Sequence, residues 1–131
     1  MPVPVNRKLS MVDLDDVAEV AFNSILESEL DYGIYELVGN NLSLNDQAKI
    51  ISKVVKETII AKQFSVNEAK SQLKIPFTGK YGEKTYEAMF DYYSRFGLNG
   101  NSTVLKSLLK RQPRNFSEVV KKYIIKNNLY L

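Results

Sequence analysis

Leu14, Val17, Ala18, Ala21, Phe22 and Ile25 recur at intervals of three and four residues, while Asp15, Glu19, Asn23 and Glu27 fall between them. That rhythm describes a helix with one apolar stripe, and the stripe calls for a sheet to lie on. The short apolar run from Leu9 to Val12 precedes it as a strand. Between the two, Asp13 can accept from the free N–H groups of the first turn, and Asp16, three residues on, completes a capping-box pattern. Ser43 with Asp46, Ser65 with Glu68 and Asn115 with Glu118 repeat that spacing at three more helix starts. The helix after Ser43 carries Leu44, Ala48, Ile51 and Val55 on one face, widened by Ile50 and Val54. The helix after Ser65 is short and ends near Leu73, and the last runs from Phe116 through Val119, Val120, Tyr123 and Ile124.

Alternation marks the strands. From Gly33 to Gly39, Ile34, Glu36 and Val38 alternate with Tyr35 and Leu37, and apart from Glu36 both faces are apolar. This suits a strand covered on both sides, as in a parallel sheet flanked by helices. Gly39-Asn40-Asn41 reads as a turn. Thr58 to Phe64 is β-branched and apolar enough for a third short strand. Ile75 to Gly82, with Pro76, two glycines, Phe77 and Tyr81, reads as a loop. A fourth helix spans about Glu83 to Phe96, with Tyr86, Met89, Phe90, Tyr93 and Phe96 on one side and Tyr92 off it. Gly97 to Gly100 stop it, and a fifth helix, capped by Asn101 or Ser102, carries Val104, Leu105, Leu108 and Leu109 until Pro113 ends it. Met1 to Lys8 holds two of the four prolines and reads as an extended lead-in. The tail from Asn127 to Leu131 frays unless its apolar end docks. The expected class is α/β, mostly helical, with about six helices and three short strands.

Composition narrows the chemistry. A chain of 131 residues with 44% hydrophobic content fits one domain with a real core. There is no cysteine and no histidine, which removes disulfides, thiolate chemistry, the usual zinc sites and a histidine general base. The net charge is only +3. The clusters Lys106, Lys110, Arg111, Arg114 and Lys121, Lys122, Lys126 are read as solvated cations near helix C-termini in preference to a nucleic-acid surface. Arg111 and Arg114, flanking Pro113, could grip a phosphate, and Asp13, Asp15 and Asp16 could hold a metal; helix-end roles explain both groups with fewer assumptions. No apolar run has the length of a membrane span, the first residues lack a signal-peptide pattern, and a cytoplasmic location is the default.

The order of these motifs also resembles a family. Val12-Asp13-x-x-Asp16-Val17-Ala18, then Gly33-Ile34-Tyr35-Glu36-Leu37-Val38-Gly39, then Leu42-Ser43-Leu44-Asn45-Asp46, is similar to the C-terminal half of NmrA-like proteins, atypical short-chain dehydrogenase relatives that include NADPH-dependent quinone oxidoreductases. The resemblance continues in Phe64-Ser65 before Asn67-Glu68-Ala69. It closes on Arg111-Gln112-Pro113-Arg114-Asn115-Phe116, where Asn115 replaces the threonine usual in that pattern.

That resemblance implies a substrate-side subdomain that lacks its N-terminal Rossmann half. A short-chain dehydrogenase needs a glycine-rich turn for the pyrophosphate and, in its typical form, a tyrosine four residues before a lysine. None of the eight tyrosines has lysine at that place, and Gly79 and Gly82 are followed by Thr85 where a third glycine would belong. The chain alone is therefore expected neither to bind NADP or NAD nor to turn over substrate. Its implied partners are the Rossmann half and a small-molecule substrate, with self-association through the surface left bare. By the same comparison Phe77, Tyr81, Tyr86, Phe90 and Tyr93 are the candidates for a substrate-pocket wall or lid. Aromatics at helical spacing are more often simply core. The other function class consistent with the residues is an autonomous protein-interaction module without enzyme activity.

Overall fold

The structure, a computed structural model, describes residues 1–73, 79–127 and 129. Its elements follow in the order β1 (Leu9–Met11), α1 (Leu14–Leu26), a single 3₁₀ turn at Ser28–Leu30, β2 (Asn40–Leu42), α2 (Leu44–Val55), α3 (Val66–Leu73), α4 (Gly79–Phe96), α5 (Thr103–Leu109) and α6 (Phe116–Lys126). Among the described residues, six helices accompany a two-stranded antiparallel sheet in which Leu9 faces Leu42 and Met11 faces Asn40. The free side of β1 is taken by the chain after α4: Ser10 N–H donates to Leu98 O at 2.5 Å and Leu98 N–H to Lys8 O at 3.2 Å.

Local chemistry sets the helix starts. Ser43 and Asp46 form a reciprocal capping box, as do Asn115 and Glu118. Ser65 N–H donates to Glu68 Oε2 at 2.7 Å while Glu68 N–H donates back to Ser65 Oγ. The first helix departs from this pattern. Asp13 caps through Asp15 N–H, but Asp16 turns inward and is 0% exposed. At α5, Asn101 Oδ1 accepts from Thr103 N–H at 2.8 Å, and the Ser102 side chain makes no capping bond. Gly97 ends α4 with φ of 74°, a left-handed conformation that L side chains rarely adopt. Gly39 is required for another reason, because a Cβ there would lie 2.0 Å from the Met11 carbonyl oxygen.

Two apolar clusters make the core. Val3, Leu9 and Phe90 form one, with Leu44, Val66, Tyr86 and Tyr93 packed against them. Val20, Leu105 and Leu109 form the other, joined by Val12, Leu37 and Leu108, where α1 lies on α5.

Several expectations change. Residues 34–38 and 58–64 join no ladder, so the sheet among the described residues has two strands, and its second strand is the polar Asn40–Leu42 that reads as part of a turn. Asn41 explains that shift: its side chain accepts from Ser10 Oγ at 2.7 Å and donates to Gly100 O at 2.8 Å, stapling β2 to both neighbours. Of the stretch read as a loop, residues 79–82 form the first turn of α4, entered at Gly79 with a left-handed φ, and residues 75–78 lie outside the described residues. The lead-in is anchored to the fold: Val3 is fully buried, Phe64 N–H donates to Met1 O, and Ser94 Oγ donates to Pro2 O. The apolar stripe of α1 is turned outward, with Leu14 77% and Ile25 82% exposed and Ala18, Ala21 and Phe22 also exposed. Its inner face is Asp16 and Val20.

Candidate functional site

Phe64, α3 and α4 build a cavity with the first residues of the chain. The one-turn spacing of Tyr86 and Phe90 brings their rings to a centroid distance of 4.6 Å in an edge-on arrangement. Ala69 of α3 faces them, and its small side chain leaves a pocket of about 310 Å³, lined by Met1, Pro2, Phe64, Ala69, Gln72, Tyr86 and Phe90. None of these side chains is charged, so the pocket can hold an apolar ring, with the Tyr86 hydroxyl and the Gln72 amide as its polar side-chain groups. A more open cavity of about 270 Å³ shares Pro2, Phe64 and Phe90 and adds Glu87, Asp91 and Ser94 at its polar rim. Lys70 ties the two helices beside it, pairing with Glu83 at 2.7 Å and with Glu87. Hydrogen bonds from Lys70 to Glu83 and Glu87 push its ammonium above its ordinary value.

The pocket-wall residues expected from sequence divide. Tyr86 and Phe90 line the pocket, while Tyr93 packs on Phe90 at 6.0 Å and does not reach the cavity lining. Tyr81 projects from the first turn of α4, 84% exposed and outside that lining. Phe77 lies outside the described residues. Met1, Pro2, Phe64, Ala69 and Gln72 escape the sequence reading. Phe64 sits in the apolar run that reads as a strand, and the buried course of Met1 to Val3 has no local signal.

The acidic and basic clusters meet each other. Arg111 Nη2 donates to Asp16 Oδ1 at 2.8 Å and also pairs with Glu19; Arg114 N–H donates to Asp16 Oδ2 at 2.8 Å, and its guanidinium pairs with the same carboxylate. Burial pushes the Asp16 carboxyl up, but hydrogen bonds from Arg111 and the Arg114 backbone, with both positive charges, outweigh it and hold the group below its ordinary 3.8. Lys122 pairs with Asp15, and Lys110 with Glu27 at 3.0 Å. Lys110, Arg111, Arg114 and Lys122 are thus engaged by carboxylates of α1 and its C-cap. The three aspartates are divided among a cap, a lysine and two arginines. Among the described residues no group of three or more Asp or Glu is placed to hold a metal ion, and no helix is long and apolar enough to cross a membrane.

The whole arrangement, six helices on a small sheet, is that of the C-terminal subdomain of NAD(P)-binding reductase folds. A nucleoside-diphosphate-sugar epimerase from Staphylococcus aureus superposes with a TM-score of 0.75 at 18% identity, over 92% of this chain and 43% of that one. The triphenylmethane reductase of Citrobacter sp., solved with NADP(H), gives 0.71 at 21% identity, over 89% and 41%. An NADPH-dependent quinone oxidoreductase from Escherichia coli gives 0.69 at 20% identity, over 91% and 44%. The chain spans less than half the length of these solved proteins. No family model and no curated protein matches the sequence.

Proposed function

We propose that this chain is the substrate-side subdomain of an NmrA-like, NAD(P)-dependent oxidoreductase or redox-sensing regulator, and that it works with a dinucleotide-binding Rossmann half. The observation that supports this best is the uncharged pocket walled by Tyr86 and Phe90, carried on a fold shared with reductases more than twice as long. The cofactor, NADP or NAD, belongs to the other half, because this chain has neither the glycine-rich turn nor the tyrosine–lysine pair. Its own residues contribute an apolar slot for a small ring compound of quinone type. Gln72 stands at the slot as a hydrogen-bonding side chain for a carbonyl oxygen.

The test is titration calorimetry of the chain with NADPH and, separately, with menadione. Menadione binding without NADPH binding is expected. Ala69→Leu, which fills the slot, should abolish menadione binding while the melting transition persists. NADPH binding by these residues alone would overturn the reading.

The bare apolar face of α1 favours a second reading, an autonomous protein-interaction module. The upstream reading frame separates the two. A strand followed by a G-x-x-G-x-x-G turn supports the reductase reading, and an independent start codon with its own ribosome site supports the module.

A further inference from the structure

Asn99-Gly100 is the single asparagine-glycine pair in the chain, and it follows directly on Leu98, whose backbone is bonded to β1. Such a pair is open to a reaction of the backbone with itself: the glycine nitrogen can attack the side-chain carbonyl carbon of the asparagine, and no Cβ on the glycine stands in the way. Packing imposes the glycine, because a Cβ on Gly100 would lie 2.6 Å from a methyl group of the buried Val38. Asn99 is exposed, and no hydrogen bond to a described residue holds its side-chain amide. Control therefore lies with the nitrogen. Gly100 N–H donates to Asn41 Oδ1 at 3.2 Å and Asn41 Nδ2 donates to Gly100 O at 2.8 Å, so one side-chain amide grips Gly100 from both sides. Ser10 Oγ donates to the same Asn41 Oδ1 at 2.7 Å and fixes that amide against β1. The reaction consumes the gripped hydrogen. An imide nitrogen carries none, so the ring cannot form while Asn41 keeps its bond to Gly100 N–H.

We propose that Asn99-Gly100 is a site of spontaneous deamidation gated by the Asn41 side chain. When the Asn41 bonds open, hydroxide takes the Gly100 N–H proton, the nitrogen bonds to Asn99 Cγ, and the Cγ–Nδ2 bond breaks with Nδ2 leaving as ammonia. Water then opens the imide at either carbonyl, giving aspartate or isoaspartate with no net oxidation or reduction. Both products add a negative charge to the segment. Isoaspartate also lengthens the backbone by a methylene just before Gly100, which has to meet Asn41 and Val38, so the two Asn41 bonds do not re-form and β2 loses its link to this segment.

The test is peptide mass spectrometry of the full chain held at mildly alkaline pH, beside the same chain in guanidinium chloride and the variants Asn41→Ala and Asn99→Gln. Amide-to-acid conversion at Asn99 should run at least about tenfold more slowly in the folded parent than in denaturant. Asn41→Ala, shown to be folded by circular dichroism, should recover most of that difference, and Asn99→Gln should remove the conversion. Hydrogen exchange of the Gly100 amide in the parent needs no variant and should show that amide protected. Absence of conversion in denaturant would mean that the pair is unreactive, and equal rates in both states would mean that it is ungated; either overturns the proposal. So does a folded Asn41→Ala that converts no faster than the parent, or a Gly100 amide that exchanges as freely as in denaturant.

Discussion

Asp16 is the residue on which α1 depends. Its carboxylate is buried and accepts from one guanidinium, a second guanidinium and a backbone N–H, all from residues 111–114. Removing one member of a buried charge group strands the others, so Asp16→Ala should cost about 3 kcal/mol in urea denaturation. The pH response follows from the direction of its shift. The folded group titrates below the ordinary 3.8, so the unfolded chain takes up the proton first. Its stabilisation is complete above about pH 4 and is lost as the pH falls through the lower folded value. Asp16→Asn, already uncharged, should therefore lose less melting temperature than the parent between neutral and strongly acid pH. From sequence, Asp16 looked like the third residue of a capping box, and that pattern was sound at Asp46, Glu68 and Glu118. What overrode it was a pair of arginines some ninety-five residues away, which no local spacing reports.

At the scale of elements, the caps are the most legible feature, because they depend on neighbours three residues apart. Ser43→Ala and Asn115→Ala should each cost about 1 kcal/mol in the same measurement. At α5 the sequence left Asn101 and Ser102 as equals, and the structure separates them. Asn101→Ala should cost a comparable amount, and Ser102→Ala should be close to neutral. Strands were harder to read. Asn40–Leu42 is polar and three residues long, and it is held by the Asn41 side chain more than by any pattern. Thr58 to Phe64 has strand-like composition but no edge to join. The pocket was legible on one wall only: Tyr86 and Phe90 share a helix face, whereas Met1, Pro2 and Phe64 arrive there through long-range hydrogen bonds such as Phe64 N–H to Met1 O at 3.2 Å.

For the whole molecule, the outward stripe of α1 decides behaviour in solution. Leu14, Ala18, Phe22 and Ile25 share one face of the helix, as their spacing indicates, and that face is exposed. An apolar face of this kind associates when its partner is missing. The chain alone should sediment as a concentration-dependent mixture, and the double substitution Phe22→Glu, Ile25→Lys should return it to monomer without loss of helical circular dichroism. A monomeric parent at high concentration would remove that expectation.

Helix α1 thus has two opposite surfaces, carboxylates gripped by arginine and lysine on one side and bare hydrocarbon on the other. Dissolved ions should act on them in opposite senses. Rising sodium chloride screens the partly exposed pairs of Asp15 and Glu19 and loosens the helix from its own subdomain. Sulfate, excluded from apolar surface, drives the other side toward whatever covers it. The joint that holds the helix in its subdomain should weaken in brine, and any association through its bare face should tighten in sulfate.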